Sequence, residues 1–161
     1  QYKLIGGSLT LPGHGFASST RWAGLGMSND NAIMISPEQY SEIANPSIEK
    51  ICQHWGGSAF HSCGDWSGFI ETLLKLKGLN MADGAFSRQT DPGATDQPEA
   101  FHSFANTGIV LNARIVGDIR TIEEQVSRLW FPGMKLIVVT YCETAEEQEE
   151  AYFRISDICI G

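Results

Sequence analysis

The chain is short of basic residues, short of cysteine and free of long apolar runs. Lys and Arg number 11 against 19 Asp and Glu, a formal net charge of −8. Binding to phosphate backbones needs a basic face, so no nucleic-acid partner is expected. Four cysteines in 161 residues are too sparse for a disulfide-stapled scaffold, and Cys52, Cys63, Cys142 and Cys159 are read as reduced thiols. No stretch approaches the ~20 consecutive apolar residues of a membrane span. Gln1-Tyr2-Lys3-Leu4 leads into glycines rather than the apolar core of a secretory signal. The expectation is a cytoplasmic chain with no membrane association. What is present is 42% apolar residues, ordinary for a globular protein, in a length that suits one core.

After residue 30 the sequence alternates strand-like and helix-like segments, with a possible early strand at Asn31–Ile35. Ser36-Pro37-Glu38-Gln39 announces a helix through a capping residue, a proline at the first helical position and a closing Gln. That helix runs to about Trp55, with Pro46 kinking or breaking it and Gly56-Gly57 ending it. Ser58–Cys63 is a strand. Asp65 caps the next helix, whose Trp66, Phe69, Ile70, Leu73 and Leu74 form an amphipathic stripe ended by Gly78. Leu79–Ala82 is a short strand, followed by a long Gly-, Asp-, Thr- and Pro-rich segment from Asp83 to Gln97. Segments of that length are often lids or binding loops. A helix near Pro98–Asn106, a strand over Ile109–Val116, a helix capped by Thr121 and Glu124, a strand over Lys135–Tyr141 and a helix capped by Thr144 and Glu147 complete the chain. Tyr152, Ile155 and Cys159 share one face of that last helix. Its acidic run Glu143–Glu150 reads as a solvated first turn that suits the helix dipole.

Strands alternating with helices imply parallel pairing with the helices outside. The chain reads as a single domain or half-barrel fragment, with residues 1–30 an irregular lead-in and 31–161 repeated β-α units. The lead-in is marked by Gly6-Gly7, Pro12-Gly13 and Ser18-Ser19-Thr20. Four to five units are about half of a (β/α)8 barrel, which typically needs ~250 residues.

Chemistry concentrates at strand ends. His61 and Cys63 are two residues apart at the end of one strand, so they point to the same side. Cys142 ends a later strand. Together they make a three-ligand zinc site with an open position, the form that zinc takes in catalysis. Asp83 and Arg114 lie at or near other strand ends and are candidate catalytic residues. Asp30, Asp65 and Asp118 sit in adjoining loops, with Asp30 a local candidate for a fourth ligand and Asp65 most simply a cap. In parallel α/β architectures the C-terminal ends of the strands are the active end. Cys52 and Cys159 read as core, and His14, His54 and His102 have no partners in spacing.

Ser36-Pro37-Glu38-Gln39-Tyr40, Pro46, Gly56-Gly57 and His61-Ser62-Cys63-Gly64 resemble the C-terminal half of the uroporphyrinogen decarboxylase superfamily, from about Asn29 onward. One branch of that superfamily comprises cobalamin-dependent methyltransferases, which bind zinc through a His-x-Cys pair and a distant Cys. His61, Cys63 and Cys142 match that pattern in type and order. The resemblance implies the C-terminal half of a TIM-type barrel and zinc-dependent methyl transfer between a corrinoid, carried on a partner protein, and a thiol or methyl-ether substrate. Independently of the resemblance, Arg114 is a candidate for holding an anionic substrate group, since guanidinium suits carboxylate or sulfonate. Two alternatives stand beside this. One is a metal-free decarboxylase of the same superfamily, although its arginines and aspartate come from the N-terminal half. The other is a non-catalytic half barrel whose open edges require a partner half or self-association.

Overall fold

Five short strands lie side by side in one parallel sheet: β1 (Leu25–Ser28), β2 (Ser58–His61), β3 (Leu79–Ala85), β4 (Val110–Arg114) and β5 (Lys135–Val139). They come from a computed structural model that describes residues 24–160. The lead-in expected over residues 1–30 therefore lies mostly outside the described residues, and its last part contains β1 rather than loop. The fold class is α/β, as expected, with helices flanking the sheet.

The spatial order is β1-β2-β3-β4-β5, the same as the order along the chain. Right-handed crossovers that always step in one direction place every connecting helix on the same face of the sheet. The register identifies that face. Met27, Phe60, Ala82, Leu111 and Leu136 pair across all five strands, and all five belong to the hydrophobic core or pack against it. The next row, Ser28, His61, Asp83, Asn112 and Ile137, points the other way. Three of its members, His61, Asp83 and Asn112, are polar and fully buried. One face of the sheet thus carries the apolar core and the other a polar ladder. Ala85, Arg114 and Val139 form the row above it, toward the C-terminal ends.

The helices start where local chemistry satisfies their first amides. α1 (Pro37–Ile43) opens on a reciprocal capping box, with Gln39 N donating to Ser36 Oγ at 3.2 Å and Ser36 N to Gln39 Oε1 at 3.1 Å. The chain breaks at Ala44, and α2 (Asn45–Trp55) begins with Pro46 in its first turn. Gly56 ends α2 in the left-handed conformation at φ 83°. The Asp65 turn leads into a 3₁₀ segment, Ser67–Phe69, and only then into the short α3 (Ile70–Leu74). α4 (Ile119–Leu129) buries Ile122, Val126 and Leu129. α5 (Ala145–Ile160) opens on the Thr144–Glu147 box and packs on α4.

Several expectations are corrected. Asn31–Ile35 is not a strand; Ala32–Met34 is a 3₁₀ turn, and Ile33, Met34 and Ile35 face solvent because β1 already occupies the edge of β2. Asp118, not Thr121, caps α4, its carboxylate accepting from Thr121 N at 2.7 Å. Pro98–Phe104 is 3₁₀ rather than α-helical. Tyr152 is exposed and Ala151 is buried in its place, while Ile155 and Cys159 pack against the core as expected, joined by Ile158. β3 runs on to Ala85, which places Asp83 inside the strand rather than at the head of the loop.

The core is held by an aromatic stack. Trp66 meets Phe101 edge-on at 4.7 Å and Phe60 at 5.4 Å, and Phe86 meets Phe101 at 4.8 Å. Trp66 approaches β3 so closely that a Cβ on Gly84 would lie 2.9 Å from its Nε1. Phe101→Ala should therefore cost about 3–5 kcal/mol through the lost transfer energy and cavity, and Gly84→Ala about 1–3 kcal/mol through overpacking. Equilibrium urea unfolding reads both.

Candidate metal centre

The polar ladder ends in a cluster. His61 is the last residue of β2 and is fully buried. Cys63 follows it on the turn into Gly64, and Asp30 follows β1, the strand beside β2. The side chains converge because β1 and β2 run in register, Ser28 beside His61. Asp30 Oδ1 lies 3.3 Å from His61 Nε2, and Cys63 Sγ lies 3.7 Å from the same nitrogen. One ligand atom from each of Asp30, His61 and Cys63 falls within 4.8 Å of the others, close enough to hold one cation. Asp30 is fixed in place by the Cys63 amide, which donates to its Oδ1 at 2.9 Å, and by Ser28 Oγ, which donates to Oδ2 at 2.8 Å.

Behind the ring stands Asp83. Its Oδ2 accepts from His61 Nδ1 at 2.5 Å and from Arg114 Nε at 3.1 Å, and its Oδ1 accepts from Asn112 Nδ2 at 2.6 Å. A carboxylate on Nδ1 makes that nitrogen the donor and turns the lone pair of Nε2 toward Asp30 and Cys63. Metal-binding histidines are oriented in the same way.

The loop after β3 closes down on this end of the sheet. Ser87 Oγ and Thr90 Oγ1 accept from Val116 N at 2.8 and 3.2 Å. Asp91 accepts from Gly64 N at 2.7 Å and from Gly93 N at 2.8 Å. It thereby anchors the turn that carries Cys63.

The charges are unevenly matched. Burial works against ionisation of Asp30, yet hydrogen bonds from Ser28 and from Cys63, with the His61 ring close by, hold its carboxyl below the ordinary range. Hydrogen bonding from Gly64 likewise holds Asp91 down, against its burial. Cys63 moves the other way. Burial pushes its thiol up, the Asp30 carboxylate pushes further as acceptor and as charge, Asp91 adds to this, and Arg114 acts in opposition. Two carboxylates and one guanidinium therefore act on a thiol that is discouraged from ionising, an arrangement that a divalent cation would rebalance.

Of the three ligands expected from spacing, two meet here. Cys142 does not join them: it follows β5, three strands from β2, and lines a separate cleft with Val116, Gly117, Asp118 and Tyr141. Adjacent strands are ~4.8 Å apart, so the loop after β1 reaches His61 where the loop after β5 does not. Asp83 and Arg114 do converge on the site, but Asp83 acts on it through His61. Asp65 and Asp118 cap local turns. Spacing gave no notice of Asn112 or Asp91. Asn112 was open to discovery as the residue two before Arg114, hence on the same face of β4; Asp91 carried no signal.

No family model, no curated protein and no solved structure matches this chain.

The thiol is directly testable. Only the thiolate alkylates, so Cys63 in chelator-treated protein should react with iodoacetamide at neutral pH more slowly than free cysteine, with a rate that climbs at higher pH. Asp30→Asn removes an acceptor and a negative charge that both raise the thiol pKa. Its reaction should therefore be faster at pH 7, as peptide mass spectrometry of the Cys63 peptide would show.

Proposed function

We propose that this chain is the C-terminal half of a (β/α)8 barrel whose inner face holds a zinc site for methyl transfer between a corrinoid and a thiol or methyl-ether substrate. The observation that carries the reading is the convergence of Asp30, His61 and Cys63, within 4.8 Å, with Asp83 seated on the far nitrogen of the imidazole. An unreversed strand order with helices on one face is the arrangement that curls toward a barrel, and its inner face is where the polar ladder lies. The donor set of one imidazole, one thiolate and one carboxylate suits zinc at an open, three-ligand site.

The same residues invite comparison with a Cys-His-Asp nucleophile triad, since Cys63, His61 and Asp83 stand in line. The electrostatics favour the metal. A catalytic thiol needs its pKa lowered by its surroundings, whereas the two carboxylates beside Cys63 raise it. A cation between Asp30 and Cys63 reverses that effect.

Zinc bound here supplies a Lewis acid that lowers the pKa of a substrate thiol or polarises a methyl-ether oxygen. The chain does the rest. His61 presents a neutral Nε2, Asp83 keeps the proton on Nδ1, and Asn112 and Arg114 hold the Asp83 side chain in orientation. Asp91 holds the Gly64 turn, and through it Cys63, against the site.

Purified protein equilibrated with zinc and dialysed should retain about one equivalent of metal, the ratio expected of a single site. His61→Ala and Cys63→Ala should each abolish retention, while Cys142→Ala leaves it unchanged. Metal analysis showing no zinc, or showing zinc untouched by the first two variants, overturns the reading. Asp83→Asn should weaken zinc about 10–100-fold by releasing the imidazole, as competition with a chromogenic chelator would show. Zinc-loaded protein should then consume methylcobalamin in the presence of a thiol, and His61→Ala should not.

A further inference from the structure

Tyr40 ends the segment that starts α1 and lies outside the cluster of Asp30, His61 and Cys63. The capping box at Ser36 and Gln39 fixes where α1 begins. It thereby fixes which way Tyr40, the fourth residue of the helix, points. Tyr40 is the one buried residue of α1. Its ring meets Phe60 edge-on at 6.3 Å and Phe69 at 5.7 Å. A phenylalanine ring would pack there equally well, so packing does not account for the hydroxyl. That hydroxyl donates to Asn29 Oδ1 at 3.2 Å. Buried tyrosine hydroxyls usually find such a partner. Burial pushes this one up to about 12, so it remains a donor at neutral pH.

Asn29 is the residue between β1 and Asp30. Its main-chain N donates to His61 O at 2.7 Å, which carries the pairing of β1 with β2 one residue past the strand. Its main-chain O accepts from Ala32 N at 2.8 Å, and its Nδ2 donates to Met27 O at 3.3 Å. Asp30 comes next. Its side chain is 46% exposed, so packing does not hold the carboxylate in place. The direction of that ligand depends on the turn that carries it. Tyr40 reaches this turn from the helix layer, eleven residues along the chain.

We propose that Tyr40 is a positioning residue of the metal centre: through Asn29 it holds the turn that presents Asp30 beside His61 and Cys63. This rests on the metal reading of those three residues. The Ser36–Tyr40 segment then has a role at the site without touching it. Its capping box sets the helix, the helix aims the tyrosine, and the tyrosine steadies the ligand turn. A ligand turn that spends part of its time out of position binds metal less tightly in that proportion.

The test measures cobaltous ion affinity by competition with a chromogenic chelator. It compares the full unaltered chain with Tyr40→Phe, which keeps the ring, and with Asn29→Ala, which removes the acceptor. Each variant should bind cobalt about two- to fivefold more weakly, up to the worth of one neutral hydrogen bond. The double variant should match Asn29→Ala, because both changes remove the same bond. Ile122→Val, which loosens the core from α4, should leave cobalt affinity unchanged. Unchanged affinity in Tyr40→Phe overturns the inference while the metal reading stands. An equal loss in Ile122→Val overturns it too, since general loosening would then explain both. An unaltered chain that takes up no cobalt overturns the metal reading, and this inference with it.

Discussion

Asp83 carries its carboxylate into the middle of the sheet with no exposure to water, and much of the site depends on how that charge is satisfied. A buried carboxylate is tolerated when it is paired and hydrogen-bonded, and it is strongly destabilising when a partner is removed. Here the partners come from the two strands that flank β3, where Asp83 lies: His61 on β2, and Asn112 and Arg114 on β4. The register that lets all three reach it is the one that places Phe60, Ala82 and Leu111 together on the opposite face. A shift of one residue in any of these strands would bury an unpaired charge and turn an apolar side chain away from the core. The polar ladder and the aromatic core therefore enforce the same pairing from opposite faces.

That constraint has a chemical consequence. By accepting from Nδ1, Asp83 directs the basic nitrogen of His61 toward Asp30 and Cys63, where two acidic groups and a reluctant thiol gather. One ligand atom each from Asp30, His61 and Cys63 falls within 4.8 Å of the others, the spacing that a shared cation would need. The hydrogen bonds that support it come from backbone amides of the turn that carries Cys63 and from a loop pinned to the end of β4, so the site is built from neighbouring connections.

Much of this was legible from local spacing. The alternation of strands and helices, the Ser36 and Thr144 capping boxes, the break near Pro46 and the Gly56 stop all depend on interactions within four residues, and all occur where the residues call for them. The shared side of His61 and Cys63 follows from the two-residue repeat of a strand. Where the reading strayed, a competing neighbour decided: Asp118 capped α4 ahead of Thr121, and β1 took the edge of β2 that a strand at Asn31–Ile35 would have needed. β3 extended past Ala82 because Asp83, Gly84 and Ala85 find partners on β4.

By itself the sequence determined the fold class, the helix ends marked by Ser36, Gly56 and Thr144, and the pairing of His61 with Cys63 in the candidate site. Only the tertiary structure decided their company. Cys142 and Asp30 are both plausible ligands along the chain, one distant and one near, and nothing in spacing ranks them. Strand order does: the loop after β1 adjoins β2, and the loop after β5 lies three strands away. Side-chain direction is a property of a few consecutive residues, whereas proximity across a sheet is a property of pairing between segments that are tens of residues apart.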